Sequence, residues 1–138
     1  MKIINGRADG SSSERRSATF TGEVWADPIL APTEGITINH VFFAPQARTH
    51  WHRHEGGQLL MVTYGQGKVR ADAGDEHCIR PGDMVWISPG ERHWHGAADA
   101  TCMAHIAVSL GDPEWLEPVT DEEYGAGAHS GRPGASEQ

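Results

Sequence analysis

Residues 47–65 read ARTHWHRHEGGQLLMVTYG. His50, His52 and His54 alternate with Trp51 and Arg53, Glu55-Gly56-Gly57 interrupts the run, and Gln58 to Tyr64 follows as an apolar, strand-sized stretch. Side chains two apart on a strand share a face, so the pattern predicts strand, tight turn, strand, with the three imidazoles on one surface. The same alternation recurs at His93-Trp94-His95, which puts His93 and His95 together and turns Trp51 and Trp94 to the opposite faces of their strands.

Outward from this stretch, short runs at residues 19–25, 36–44, 48–54, 58–64, 68–71, 76–79, 84–87, 92–96 and 103–110 have strand character. Gly65-Gln66-Gly67, Pro81-Gly82-Asp83 and Pro89-Gly90 separate them as turns. This many short strands with tight turns predict an all-β, closed or sandwiched barrel. Helical signals come only near the end: Asp112 with Pro113 could cap one turn, and Thr120-Asp121-Glu122-Glu123 is a capping-box pattern, so one or two short C-terminal helical turns are expected. Residues 1–17 and 125–138 are polar or rich in Gly, Ser and Pro and are expected as flexible segments flanking one domain over residues 18–124.

The chain has 138 residues, 38% of them hydrophobic, enough for a single core and too short for two ordinary domains. Eleven basic against nineteen acidic residues give a formal charge of −8 with no gathered basic patch, which argues against nucleic acid as a partner. The apolar runs are strand-sized and the N-terminus has no apolar signal core, so neither membrane insertion nor secretion is expected and the default location is the cytoplasm. Cys78 and Cys102 lie in apolar strand-like stretches without metal spacing and are expected as buried free thiols.

Of nine histidines, five fall in residues 50–54 and 93–95. Imidazole ligates most first-row divalent metals, and two same-face histidines on one strand give two ligands at nearly fixed separation. Gln58 opens the next strand, where its amide oxygen could join the set, with His93 closing it. The competing reading is five surface histidines paired with nearby acids and without a metal; against it, unpaired imidazoles filling a barrel interior would be costly to desolvate. His50 is either a further contact or polar rim. His40 is expected on the surface or in a second layer, and His105 could point inward. Phe42, Leu60, Val62, Met84, Trp86 and Met103 have the character of barrel filling.

These residues resemble the two motifs of the small single-domain bacterial cupins. The first motif, Gly, five residues, His-x-His, three or four residues, Glu, six residues, Gly, is met by Gln46, His52, His54, Gln58 and Gly65, with Gln46 and Gln58 replacing the usual Gly and Glu. The second is met by Gly82, Ser88-Pro89-Gly90, His93 and Ala97, with Ser88 and Ala97 in its Pro and Asn positions. ARTHWHRHEGGQ, PGDMVWISPGERHWHGAA and VTDEEY are further similar to the cupin group that includes manganese-dependent hydroxynitrile lyases. The resemblance implies a double-stranded β-helix (jelly-roll) barrel. It implies a divalent metal, manganese first with iron, zinc or nickel as alternatives, on His52, His54, Gln58 and His93. His95 matches a histidine beside that metal and is the natural general base; Asn39, Val41 and Ser109 fall at pocket positions, and His105 is a pocket candidate.

A neutral Gln58 leaves such a metal a formal charge of about +2, suited to Lewis-acid work on an oxygen-bearing molecule. The expected function is therefore a metal-dependent enzyme on a small oxygen-bearing substrate, with hydroxynitrile-lyase-like chemistry its most specific form. A metal-dependent dioxygenase and a non-catalytic small-ligand-binding barrel are the alternatives. Trp51, Trp94 and Trp25, off the metal face, would be exposed unless covered, which together with the resemblance leads to the expectation of a homodimer or higher homo-oligomer.

Overall fold

The computed structural model describes residues 1–126, and the C-terminal segment expected to be flexible lies, beyond Ala126, outside the described residues. Thirteen strands and one helix follow in chain order: β1 Glu14–Arg16, β2 Phe20–Thr21, β3 Val24–Thr33, β4 Ile36–Phe43, β5 Arg48–Thr49, β6 His52–His54 and β7 Gln58–Gly65. Then come β8 Gly67–Ala71, β9 Glu76–Ile79, β10 Met84–Ile87, β11 His93–Ala97, β12 Met103–Leu110, β13 Pro113–Trp115 and α1 Asp121–Gly125. All pairings are antiparallel. One sheet runs β1-β3-β4-β12-β7-β10; the other runs β13-β6-β11-β5-β2, with β8 also on β11 and β9 on β8. The fold is the all-β cupin barrel that the resemblance implies.

Alternation sorts the side chains of the first sheet. Val24, Ala26, Val41, Phe43, Val62 and Met103 face inward and form the main core with Ala47, Val69, Ile79 and Ala97 from the facing sheet and its connections. Leu60, Ile87 and Ala107 make a second cluster. Of the residues expected to fill the barrel, Phe42, Met84 and Trp86 instead lie exposed on the outer face.

Several local readings are corrected. The run 19–25 is two strands in different sheets, because Gly22 turns the chain with φ 85° where a Cβ would meet Ala47. Glu14–Arg16, inside the segment expected as a tail, pairs with Val24–Ala26. The turn read as helical at Asp112 and Pro113 is the strand β13, paired with β6; among the described residues only the Thr120 capping box starts a helix. Cys78 and Cys102 are free, as expected, but exposed rather than buried. Gln46, in the motif's usual Gly position, has φ 71°, the left-handed conformation that favours glycine there.

Trp51 and Trp94 are buried, but by the chain's own C-terminal segment: they pack with Val119, Tyr124 and Leu116. Leu116 N–H donates to the Trp51 carbonyl, and Trp51 N–H donates to the Glu117 carbonyl, so the segment adheres to the back of the histidine-bearing strand. Tyr124 anchors it. Its hydroxyl donates to the Ala97 carbonyl at 2.6 Å, while the buried Lys68 and Arg48 cations lie 4.0 and 4.7 Å from its ring centroid. Tyr124→Ala should cost about 3 kcal/mol or more of stability by loss of a buried aromatic; a denaturant midpoint unchanged from wild type would contradict this anchoring.

Candidate metal centre and pocket

β11 carries His93, Trp94 and His95, and β6 carries His52 and His54; His93 and His52 are direct cross-strand partners. β11 thus places Trp94 in the outer cluster, Trp51 joins it just ahead of β6, and both strands turn imidazoles to the inner face. The expectation that His50 shares that face is not met. The chain between β5 and β6 is irregular at His50-Trp51, so the parity breaks and Thr49 lines the cavity instead. His50 contributes its backbone carbonyl, which accepts from His52 Nδ1 at 2.9 Å. His40 lies on the outer face beside Thr63, 2.8 Å away.

Nitrogens of His52, His93 and His95 all lie within 4.8 Å of one another. His54 faces the same space, with ring centroids 5.0 Å from His52 and 5.9 Å from His93, and both its ring nitrogens are buried without a hydrogen-bond partner. Gln58 reaches in from β7, and its Oε1 is 3.1 Å from His93 Nε2. Gly57 makes this placement possible: it turns the chain from β6 into β7 with φ 93°.

The hydrogen bonds fix the tautomers. A carbonyl only accepts, so His52 Nδ1 and His93 Nδ1 carry their protons toward the carbonyls of His50 and Glu91, each at 2.9 Å. Their Nε2 atoms are then bare. Burial, the largest cause in every case, pushes the imidazoles down from their ordinary 6.5: His52 and His95 well below it, His93 below it, His54 and His105 to about 4. At neutral pH the bare Nε2 atoms of His52 and His93 therefore stand beside the Gln58 amide oxygen, and neutral His54 adds one further bare nitrogen. That set of ligand atoms fits a divalent cation, and the carbonyls of His50 and Glu91 that accept from Nδ1 are the outer partners that metal-binding histidines ordinarily keep.

The surrounding cavity is about 190 Å³, on the scale of cavities of about 150 Å³ that accept benzene. Phe20, Phe43, Val41 and Trp115 form much of its apolar wall, and Asn39, Ser109, Thr49 and Arg16 add polar edges. Trp115 stacks on His52 at 4.5 Å. His105, fully buried, holds its Nε2 2.9 Å from His95 Nδ1, leaving His95 Nε2 buried and unpartnered. Asn39, Val41, His95, His105 and Ser109 are thus brought to one cavity with His52, His54 and Gln58. Thr49, Phe20, Arg16, Phe43 and Trp115 were not foreseen; Phe43 shares the face of Asn39 and Val41 by period two and was legible in that way, while the other four depend on where a connection bends, which alternation within one strand does not report.

Comparison with known proteins decides the family. Residues 39–109 match the model of the cupin domain. The chain belongs to the cupin family. This cupin is 47% identical over 130 residues to the (R)-mandelonitrile lyase of Granulicella tundricola, covering 90% of this chain and 97% of that protein. A cupin-like protein from Thermotoga maritima is 36% identical, with a TM-score of 0.79 over 91% of this cupin and 97% of its own chain. A predicted oxalate decarboxylase from the same organism shares only the fold, at 21% identity and a TM-score of 0.68 over 80% of this cupin and 100% of that chain.

Acid should unfold the metal-free cupin through these imidazoles. His54 and His105 are held near 4 when folded and return to about 6.5 when unfolded, so the unfolded chain binds more protons between those limits. The stability of their neutral burial is complete above pH 6.5 and is lost as pH falls toward 4, by up to about 1.4 kcal/mol per pH unit for each histidine. A denaturation midpoint that stays flat across this window would contradict it.

Proposed function

We propose that this cupin is a metal-dependent lyase that cleaves, and in reverse forms, cyanohydrins of small aldehydes. The observation that carries the reading is a buried cluster of imidazole and amide ligand atoms beside a benzene-sized cavity, in a chain 47% identical over most of its length to a mandelonitrile lyase. His52, His54, Gln58 and His93 would hold a divalent metal, manganese by preference, which supplies Lewis acidity toward a hydroxyl or carbonyl oxygen.

The remaining work belongs to the chain. Phe20, Phe43, Val41 and Trp115 would line the seat of the organic group with apolar surface. When His95 donates its Nδ1 proton to His105, its Nε2 is bare and aimed into the site, placed to act as general base. It takes the hydroxyl proton of the cyanohydrin. The carbon–cyanide bond breaks, its electron pair leaves with cyanide, the hydroxyl oxygen becomes the carbonyl oxygen, and His95 returns the proton to give hydrogen cyanide and aldehyde.

His95 lies as close to His52 and His93 as a ligand would, so the assignment of His54 to the metal and His95 to the proton needs a direct test. His54→Ala should lose bound metal. His95→Ala should keep it while cyanide release from mandelonitrile falls roughly 10²-fold or more. Metal lost from His95→Ala and kept by His54→Ala would reverse the roles; metal-loaded wild type that releases no cyanide under air or nitrogen would overturn the lyase reading.

The same proposal includes a homodimer, though not through Trp51 and Trp94, which the C-terminal segment covers. What supports it is the outer face of the first sheet. Trp86, Leu59, Val108 and Ile38 form a row across four neighbouring strands, and exposed Met84, Phe42 and Trp25 extend it. A contiguous apolar face of this kind is rarely left open to water, and a second copy of the same sheet covers it symmetrically. Light scattering at micromolar concentration should give twice the 15.0 kDa chain mass, and a single-chain mass would contradict the dimer.

A further inference from the structure

Arg16 lines the cavity from β1, the edge strand of the first sheet. It stands opposite the fully buried Val24, so its side chain belongs to the inner face, whereas Arg15 turns outward over Trp25, 5.9 Å from the ring. With the histidines neutral, Arg16 carries the one formal charge among the described residues that line the cavity. Its place is the mouth: 36% of the side chain is exposed, while the histidines are buried. Glu14 meets one Nη at 3.2 Å, and that pair is open to water on both sides, the kind that contributes least. The rest of the five-donor fork has no acceptor among the described residues.

We propose that Arg16 makes the preferred substrate of this cupin an anion: a small aldehyde, with its cyanohydrin, that carries a carboxylate on the end away from the histidines. This rests on the lyase reading above and names its substrate class. With the reacting carbon at the buried cluster and an apolar body against Phe20 and Trp115, whose rings lie 5.6 Å apart, the far end of the substrate meets the mouth. A carboxylate there matches the planar guanidinium fork. A neutral end leaves Arg16 with Glu14 and water and gains nothing from it. A phosphate dianion calls for more than one cation, and the described cavity lining offers one. In a chain of net charge −8, a lone cation at a cavity mouth also decides the sign of what is drawn in.

The test compares 4-formylbenzoate with its neutral isostere 4-formylbenzamide. Binding is measured by calorimetry on the metal-free full-length chain, where no metal can hold the carboxylate, and cyanide release from the two cyanohydrins is measured on the Mn²⁺-loaded chain. The wild type should favour the carboxylate roughly tenfold in Kd and in kcat/KM, and Arg16→Gln should bring both ratios to within about twofold of unity. Glu14→Gln removes the competing carboxylate and should keep or raise the preference. A loss in Glu14→Gln equal to that in Arg16→Gln would mean that the ion pair only holds β1 in place, and would overturn the site. A wild type that binds both compounds alike, or a preference that survives Arg16→Gln, overturns it as well. Cyanide released from neither cyanohydrin overturns the lyase reading, while the binding ratio, taken without metal, still decides the carboxylate site.

Discussion

The structure turns on a crowd of unprotonated nitrogens. Five imidazoles converge inside a small barrel, and burial keeps each of them neutral. Backbone carbonyls of His50 and Glu91 draw the protons of His52 and His93 outward, and His105 occupies one nitrogen of His95. The Nε2 lone pairs of His52 and His93 are left facing inward beside the Gln58 oxygen. Such a cluster is electrostatically unfavourable alone and becomes favourable around a cation, so one arrangement of hydrogen bonds accounts for burial, ligand set and readiness for chemistry together.

The barrel keeps this arrangement in place through strands used on both faces. In β11, His93 and His95 point into the cavity while Trp94 points out, and the cluster around Trp94 and Trp51 is closed by residues 116–124 of the same chain. Lys68 and Arg48 bring two buried cations to that closure, balanced in part by Asp99 and Asp121 at 2.9 and 2.8 Å. Short strands that would otherwise fray are thus held from behind by a covalent extension of the domain. The precision of the inner face depends on packing that no ligand touches.

Much of this was legible in the sequence where alternation within one strand governs. His52 with His54, and His93 with His95, follow from period two, and their spacing with Gln58 carries the family. The reading failed where the chain leaves a strand. Two residues of irregular backbone at His50-Trp51 exchange the expected His50 for Thr49 on the inner face. Pro113, read as a helix start, begins β13 beside β6, where its fixed φ suits an outer strand and brings Trp115 onto His52. Trp51 and Trp94 announced a covered surface correctly but not its cover, because a contact between residues 51 and 119 is a matter of topology rather than local pattern. Cys78, Met84 and Trp86 show the same limit in the other direction: apolar character on a short strand leaves open which face it occupies.

The central claim, that the imidazole and amide cluster is a metal centre, meets its most direct test in metal analysis of the purified chain beside His52→Ala. The account predicts near one divalent ion per chain, lost in the variant while both proteins fold. No metal in either protein after incubation with manganese, iron and zinc would contradict it, and the buried lone pairs would then need another explanation.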